Sequence, residues 1–266
     1  MIMGWQYLWI LAVVAAVLCA VGFYKFVYFL SIGYGFAVAG VSVALMILFG
    51  AQMQLVHYVQ CILFIAYGAR LSGFLLYREI KNSAYRKTLS QAAGDEKAMP
   101  IFVKAVIWVS VTVLYIAQVS PVFYRLYNGS ADVVLPWIGV IVSLVALVLE
   151  TLADMQKSAQ KAKRPNMVAT EGLYKMVRCP NYFGEILFWT GVFIGGVTAF
   201  NHWGQWLMAA LAYVCIVYIM FNGAQRLEKR QLSRYGGLAE YRAYTDKTPI
   251  ILPLLPIYHL VKEAKK

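Results

Sequence analysis

The stretch Gly172-Leu-Tyr-Lys-Met-Val-Arg-Cys-Pro-Asn-Tyr-Phe-Gly-Glu-Ile-Leu-Phe-Trp189 decides how this chain folds, because a basic, turn-rich approach leads there into an apolar helix that begins after Pro180. Asn181 and Glu185 are four residues apart, so they share one face of that helix. Glu185 falls about one turn inside a segment that is otherwise typical of a membrane span. A carboxylate at such a position is costly, and by default it indicates a functional site.

The preceding apolar segment ends in a similar polar face, since Glu150 and Asp154 are also four residues apart at its far end. Two polar faces at the ends of neighbouring helices predict a site that a polar ligand enters from the aqueous side. The competing interpretation is ordinary helix-end solvation, with Asp154 in water and Glu185 paired to a nearby Arg or Lys.

The composition indicates a membrane protein. Of the 266 residues, 61% are hydrophobic and only 14% are charged, whereas a soluble domain has roughly 25% charged residues. The formal net charge of +12 is typical of cytoplasmic loops that face anionic lipid headgroups, and we expect no nucleic-acid partner. The four cysteines lie far apart and predict neither a metal site nor a disulfide framework.

A membrane span needs roughly 20 mostly apolar residues. Seven segments qualify: about 5–23, 27–49, 54–77, 100–119, 133–153, 182–200 and 204–222. They predict an all-α polytopic membrane protein with about seven transmembrane helices, built as a single membrane domain over residues 1–266. The tail after residue 222 is predicted to extend the last helix, break at Gly236-Gly237 and form a short second helix. Residues 248–256 are too short and too Pro-rich to span, and return to the bundle or to the interface.

The basic residues predict the orientation of the chain. They concentrate in the stretches 78–99 and 154–181 and in the C-terminal tail, and comprise Arg78, Lys81, Arg86, Lys87, Lys97, Lys157, Lys161, Lys163, Arg164, Lys175, Arg178, Arg226, Lys229, Arg230, Arg234, Arg242, Lys247, Lys262, Lys265 and Lys266. The opposite loops hold almost nothing basic beyond Arg125. The bias of basic residues towards the cytoplasm therefore predicts an external N-terminus and a cytoplasmic C-terminus.

The polar set of Glu150, Asp154, Asn181 and Glu185 suits a particular ligand chemistry. Carboxylates and amides bind ribose hydroxyls and a nicotinamide carboxamide, which both donates and accepts hydrogen bonds. They repel phosphates, which would instead bind basic residues. The candidates for phosphate binding are Lys157, Lys161, Lys163, Arg164 and Arg178. For most of these residues, the ordinary cytoplasmic bias of basic residues is the competing explanation.

Two further polar groups occur in the third span. Tyr67 and Arg70 are three residues apart and share a helix face; a phenol beside a cation can donate a proton to a carbonyl. Alternatively, Arg70 extends to the headgroups and Tyr67 simply lines the bundle. Near the other end of this span, the polar side chains form a predicted outer cap: Gln52, Gln54, His57 and Gln60. No metal-ligand spacing is present.

Several motifs together resemble a known family. They are Asp154-Met-Gln, Gly172-Leu-Tyr, the run Pro-Asn-Tyr-Phe-Gly-Glu that ends at Glu185, and Glu240-Tyr-Arg-Ala-Tyr with a Pro-containing apolar end. Over roughly residues 145–256 they are similar to the C-terminal domain of the steroid 5-alpha-reductase superfamily, and more similar still to its bacterial members. The resemblance implies a membrane reductase, in a bacterial inner membrane, that takes NADPH from the cytosolic side. It would transfer hydride to the β carbon of an enone-type lipid, a hydrophobic small molecule.

The resemblance also implies roles for individual residues. Asp154, Asn181 and Glu185 would hold the nicotinamide-ribose end of NADPH. Glu150 stands where steroid reductases have an asparagine, and Lys161 stands near a phosphate-binding arginine. Tyr67 would be catalytic, bonding the substrate carbonyl, while Arg70 contacts the cofactor. The predicted cofactor-binding set is completed by Arg178, Tyr241 and Arg242.

The chain departs from the steroid reductases in one respect. They pair the catalytic tyrosine with a glutamate in an early helix, but no acidic residue occurs here before Glu79. Gln52, Gln54 and His57 are candidates to replace that glutamate, so the substrate need not be a steroid.

A second enzyme class shares a related pattern. Membrane methyltransferases of the isoprenylcysteine carboxyl and phospholipid type, which use S-adenosylmethionine, carry Arg-His-Pro-x-Tyr-x-Gly and a Glu-x-x-Tyr tail. In this chain Cys179 occupies the His position and Asn181 follows the proline. The upstream Asp154-Met-Gln is also atypical of methyltransferases, and the motifs therefore favour the reductase.

Overall fold

The chain folds into helices in the computed structural model, which describes residues 3–81 and 99–261. Eight α-helices occur in these ranges: α1 Trp5–Cys19, α2 Ile32–Phe49, α3 Leu55–Lys81, α4 Ile101–Tyr127, α5 Val134–Lys163, α6 Pro180–Gly196, α7 Trp203–Tyr235 and α8 Ala239–Thr245. Short 3₁₀ turns accompany them, and the described residues contain no strand. The predicted all-α class is therefore confirmed.

Seven of the described helices are long and apolar enough to cross a membrane, as predicted. Several extend beyond the predicted spans: α5 continues to Lys163 because its last turns are rich in Ala, Gln and Lys, which favour helix. The tail also follows the prediction, since α7 continues to Tyr235 and α8 forms after the Gly-Gly break. Six basic residues of the predicted cytoplasmic set lie outside the described residues: Arg86, Lys87, Lys97, Lys262, Lys265 and Lys266.

The second span begins later than predicted. Residues Phe26–Leu30 form a 3₁₀ turn, and α2 starts only at Ile32. This turn is tied to the end of α3, because Lys25 donates a hydrogen bond to Glu79 and the hydroxyl of Tyr28 donates another to Glu79 Oε2 at 2.6 Å. The polar contacts hold the turn as a connection between the first two spans, so it does not become the first turn of α2.

The chain divides into two compact units, one of Met1–Val140 with Val192–Ala212 and one of Ile141–Gly191 with Tyr213–Lys266. In the first unit, α2 and α3 approach closely at Gly35 and Gly68. A Cβ atom on Gly35 would lie 2.7 Å from the carbonyl oxygen of Gly68, and one on Gly68 would lie 2.2 Å from that of Gly35. Small residues permit this approach of membrane helices, which hydrogen bonds from Ser42 and Ser72 reinforce.

The core of the second unit includes the segment that follows α8. The backbone N–H groups of Arg178 and Cys179 donate to the carbonyls of Pro249 and Ile250 at 2.8 and 2.9 Å. Ile250 and Ile251 are fully buried in an apolar cluster. The first part of the segment 248–256 therefore returns to the bundle and holds the chain that precedes α6, whereas Leu254 and Leu255 near its end are exposed.

Candidate functional site

The loop before α6 is fastened to α5 by two glutamines one turn apart. Gln156 Oε1 accepts a hydrogen bond from the backbone N–H of Leu173 at 2.8 Å, and Gln160 Oε1 accepts one from Thr170 at 2.8 Å. Gly172 is required between them, because its φ is +66° and a Cβ atom there would lie 2.4 Å from Gln156 Oε1. The Gly172-Leu-Tyr motif thus positions the start of α6 against the polar end of α5.

Hydrogen bonds link the side chains of Asp154, Asn181 and Tyr174 in series. The Nδ2 of Asn181 donates to Asp154 Oδ1, and the Tyr174 hydroxyl donates to Asn181 Oδ1 at 3.3 Å. The same hydroxyl lies 3.3 Å from the carbonyl oxygen of Ala153. Because both ends of the amide have partners, the orientation of Asn181 is determined. Two predicted site residues from different helices are therefore in direct contact.

Tyr174 is the buried end of this series of hydrogen bonds. Burial, and secondarily the negative charge of Asp154, raise the pKa of its hydroxyl, so the group remains a protonated donor at neutral pH. Its backbone carbonyl accepts a hydrogen bond from the Tyr244 hydroxyl at 2.7 Å. Tyr244 lies in the last turn of α8, so the C-terminal tail supports the Asp154–Asn181 pair indirectly. The sequence motifs contain both tyrosines, but their spacing did not assign them this supporting role.

The other two predicted carboxylates, Glu150 and Glu185, are buried, with 2% and 7% of their surface exposed. Glu185 Oε1 accepts a hydrogen bond from the indole N–H of Trp189 at 2.9 Å. Glu150 lies against the backbone of Gly184, where a Cβ atom would be 2.3 Å from Glu150 Cγ. The glycine of the Asn-Tyr-Phe-Gly-Glu motif therefore makes room for a carboxylate of the neighbouring helix, and the polar faces of α5 and α6 meet.

Two of the predicted phosphate-binding residues, Lys161 and Lys163, differ in their surroundings. Lys161 Nζ donates to the carbonyls of Pro165 and Met167 at 2.7 and 2.8 Å and to the Tyr235 hydroxyl at 3.0 Å. Its three donors are thus committed to holding the loop after α5. Lys163, by contrast, is exposed near the end of the same helix. The structure gives Lys161 a loop-holding role that the sequence did not suggest.

Arg178 is buried in an ion pair with Glu228, at 2.7 Å between Nη2 and Oε1. The same Nη2 donates to the carbonyl oxygen of Tyr258. Glu228 Oε2 accepts hydrogen bonds from the backbone N–H groups of Leu260 and Val261 at 2.8 and 3.0 Å. Glu228 therefore joins α7, the loop before α6 and the end of the described chain. Sequence reasoning missed it, because one glutamate among basic residues resembles an ordinary solvated helix charge.

The tail contributes Tyr241 and Arg242, the last members of the predicted cofactor set. Tyr241 is almost fully buried, and Arg242 Nε donates to the carbonyl oxygen of Gly236 at 2.7 Å, which stabilises the Gly-Gly turn. The Glu240 of the same motif forms a two-fold hydrogen-bonded ion pair with Arg164 at 2.7 and 2.8 Å. This exposed pair connects α8 to the loop after α5, and exposed pairs contribute little stability.

A cavity of about 330 Å³ lies beside these residues in the second unit. Its lining includes Tyr241, Arg242 and Thr245, together with Glu228, Asp246 and His259. The His259 ring lies 3.2 Å from Glu228 Oε1 and 3.3 Å from Asp246 Oδ1. Ligand pockets typically have volumes of about 300–1,000 Å³, so the cavity is at the lower end of the size range of small-molecule sites.

Tyr67 and Arg70 belong to the first unit. The Tyr67 side chain is fully buried, and its ring meets the ring of Tyr34 edge-on at a centroid distance of 5.8 Å. Tyr34 in turn stacks on Tyr115 at 4.5 Å. The four residues of the predicted outer cap, which also belong to this unit, differ in exposure. Gln52 and Gln54 are exposed, whereas His57 and Gln60 are buried. The described residues contain no cluster of His, Cys, Asp and Glu that could hold a metal ion.

A family model matches residues 5–248, nearly the whole chain. The chain belongs to the DUF1295 family. This family is described only as proteins of unknown function, and its match covers all seven membrane-spanning helices. No curated protein and no solved structure matches the chain.

Proposed function

We propose that this DUF1295 protein is a membrane-embedded, NADPH-dependent reductase of a carbon–carbon double bond in an enone-type lipid. The observation that supports this most directly is the Tyr174–Asn181–Asp154 chain of hydrogen bonds in the second unit. It brings together a carboxylate and an amide to which the resemblance to steroid 5-alpha-reductases assigns the nicotinamide-ribose end of the cofactor.

The residues fit the polar requirements of that end. A carboxamide and ribose hydroxyls need acceptors and donors in fixed positions. Asp154 and Glu185 supply acceptors, and Asn181 supplies an amide whose orientation Tyr174 sets. When bound, NADPH supplies the hydride, while these side chains bind and orient. Glu150, buried against Gly184, adds a carboxylate where steroid reductases carry an asparagine.

The phosphate end of NADPH requires basic residues. Because Lys161 and Arg178 are engaged in contacts within the protein, we assign the phosphates chiefly to Lys163, which is exposed at the end of α5. Tyr241 and Arg242 line the 330 Å³ cavity and are the candidates for the remainder of the nucleotide. Lys161 then acts by holding the loop through which α5 leads to α6.

The proton donor in this proposal is Tyr67, by resemblance. Hydride addition at the β carbon of an enone leaves negative charge on the carbonyl oxygen, and a positioned phenol can donate a proton to it. Arg70 would contact the cofactor. A bacterial inner membrane, with the C-terminus in the cytoplasm where NADPH is present, is the location that the resemblance and the distribution of basic residues support.

The methyltransferase alternative is weakened by the environment of Cys179. This residue occupies the position of the methyltransferase histidine, but its thiol is buried and burial raises its pKa to about 12. A group that stays protonated cannot replace a histidine that accepts or donates protons near pH 7.

Nucleotide titration tests the proposal. Purified protein in detergent is titrated with NADPH, NADH and S-adenosylmethionine, with binding followed by nicotinamide fluorescence or calorimetry. We expect NADPH to bind, and to bind more tightly than NADH because the surplus of basic residues favours the 2′-phosphate. Selective binding of S-adenosylmethionine would overturn the reductase in favour of the methyltransferase.

A further inference from the structure

Three buried polar side chains of the first unit have atoms that find no hydrogen-bond partner among the described residues. They are His57 at Nε2, Gln60 at Nε2, and Gln118 at both atoms of its amide. The three residues are only 4%, 6% and 3% exposed. Buried polar atoms are nearly always satisfied in native proteins, by protein groups or by a bound molecule. Three such residues in the interior of a membrane protein therefore point to a ligand.

His57 and Gln60 line a cavity of about 20 Å³ whose other walls are mainly apolar, including Val122 and Val140. Gln118 lies on α4 one turn before Val122, on the same helix face. A cavity needs roughly 10–15 Å³ to hold one water-sized group. The space therefore accepts a single small polar group, and any larger ligand must leave its remaining atoms outside.

The hydrogen bond at the start of α3 determines what His57 offers to this cavity. The backbone N–H of Gln54 donates to His57 Nδ1 at 3.0 Å, which is the return bond of a helix capping box with histidine at its third position. Since Nδ1 is an acceptor, the neutral imidazole carries its proton on Nε2. His57 therefore presents a donor, and the amide of Gln60 presents a second polar group beside it.

Arg125 also lines the cavity, and its positive charge is already neutralised within the protein. Arg125 donates to the carbonyl oxygens of Gly195 and Asp132, to the Asp132 carboxylate and to the Thr198 hydroxyl. The hydrogen bond from Arg125 is the main cause that lowers the pKa of Asp132, so this carboxylate stays ionised and balances the guanidinium. With all five guanidinium N–H groups in use, an anionic ligand would find no uncompensated positive charge.

We propose that this cavity is a binding site for the hydroxyl or carbonyl oxygen of an uncharged amphipathic ligand. The oxygen accepts hydrogen bonds from His57 Nε2 and from the amide nitrogen of Gln60, the two lining atoms without a partner among the described residues, while the apolar part of the ligand extends outside along apolar side chains. The site belongs wholly to the first unit and requires neither NADPH nor a reaction, so it stands independently of the proposed reductase activity.

The test uses simple ten-carbon probes on the full-length protein in detergent. We expect 1-decanol and 2-decanone to raise the midpoint of thermal unfolding in a saturable manner, whereas decane and decanoate do not. Equal shifts with decane would mean that only apolar partitioning occurs, and no shift with either oxygen-bearing probe would mean that the cavity holds solvent alone. Either of these two results overturns the proposal.

Variants test whether the probes bind in this cavity. Gln60→Leu should weaken the response to 1-decanol at least tenfold, while the ligand-free protein melts no earlier than wild type because a buried amide nitrogen without a partner in the described part of the chain has been removed. Val192→Leu, which fills the cavity from α6, should abolish the response with His57 and Gln60 unchanged. Thr151→Val, an exposed change on α5 outside the first unit, is the control. A full response in both cavity variants would show that the probes bind elsewhere.

Discussion

The side-chain amide of Asn181 donates a hydrogen bond to the carboxylate of Asp154, which joins the first turn of α6 to the polar end of α5. Tyr174 fixes the opposite end of the same amide. The two residues that the motifs place on separate helices are thus hydrogen-bonded to each other, and we propose that their polar groups bind the nicotinamide-ribose end of NADPH.

Asn181→Ala removes both hydrogen bonds of that amide. In the proposed function the same amide also contacts the cofactor, and a contact worth about 1.5 kcal/mol corresponds to about tenfold in affinity; we therefore expect the Kd for NADPH to rise by about tenfold or more, and Asp154→Asn to act in the same direction. Nicotinamide fluorescence measures the Kd, with Thr151→Val, an exposed change on the helix that carries Asp154, as the control. An unchanged Kd with a lowered Tm would make the pair a structural feature.

Glu185→Gln tests the role of the negative charge of Glu185, because glutamine keeps nearly the same side-chain size. The glutamine keeps an acceptor for the Trp189 indole N–H but removes the negative charge. We expect weaker NADPH binding with little change in Tm, since burying the charge was itself costly. Glu185→Ala should weaken binding further. Early melting together with unchanged binding per folded molecule would identify Glu185 as a member of a structural ion pair.

The buried Arg178–Glu228 pair should behave as a structural element. Removing one partner leaves a buried charge alone, so Arg178→Met and Glu228→Leu should each lower the free energy of unfolding by about 3–5 kcal/mol. The double variant should cost clearly less than the sum of the two. Denaturation in mixed micelles measures these values. Strictly additive losses would show that the two side chains do not act as a pair.

Substitution of Lys161 tests whether this lysine stabilises the loop after α5 or binds a phosphate of NADPH. Lys161→Met leaves two carbonyls and the Tyr235 hydroxyl without their donor, so we expect a loss of stability of about 1–3 kcal/mol. The matched variant Lys163→Met, two residues further, should keep stability and weaken NADPH binding. The reverse outcome for the two lysines would support the phosphate contact that the family resemblance implies for Lys161.

Tyr67→Phe tests the proposed proton donor. With a working enone substrate, from a panel of steroidal and linear isoprenoid or acyl enones, turnover should fall about a hundredfold or more while NADPH affinity stays nearly unchanged. Arg70→Ala should mainly weaken NADPH binding. Tyr67→Phe with the wild-type rate would place the donor elsewhere, and His57 would be the next residue to test.

The number of spans and the helix faces could be predicted because they depend on local patterns. Apolar length and charge bias define the seven spans, and a spacing of four places Asn181 with Glu185 without knowledge of any neighbour. The Gly-Gly break before α8 is equally local. The late start of α2 could not be predicted, because Glu79, far along the chain, holds the turn that contains Tyr28.

Tertiary structure alone decided which polar groups meet. By itself, the sequence determined an all-helical membrane protein with carboxylates and amides at the ends of neighbouring helices. It did not reveal that Arg178 is neutralised by Glu228, that Lys161 holds a loop, or that His57 and Gln60 face a small cavity. The physical reason is that the energy of a buried polar group depends on its partners. Those partners come from residues distant in the chain, which only the packed helices bring together.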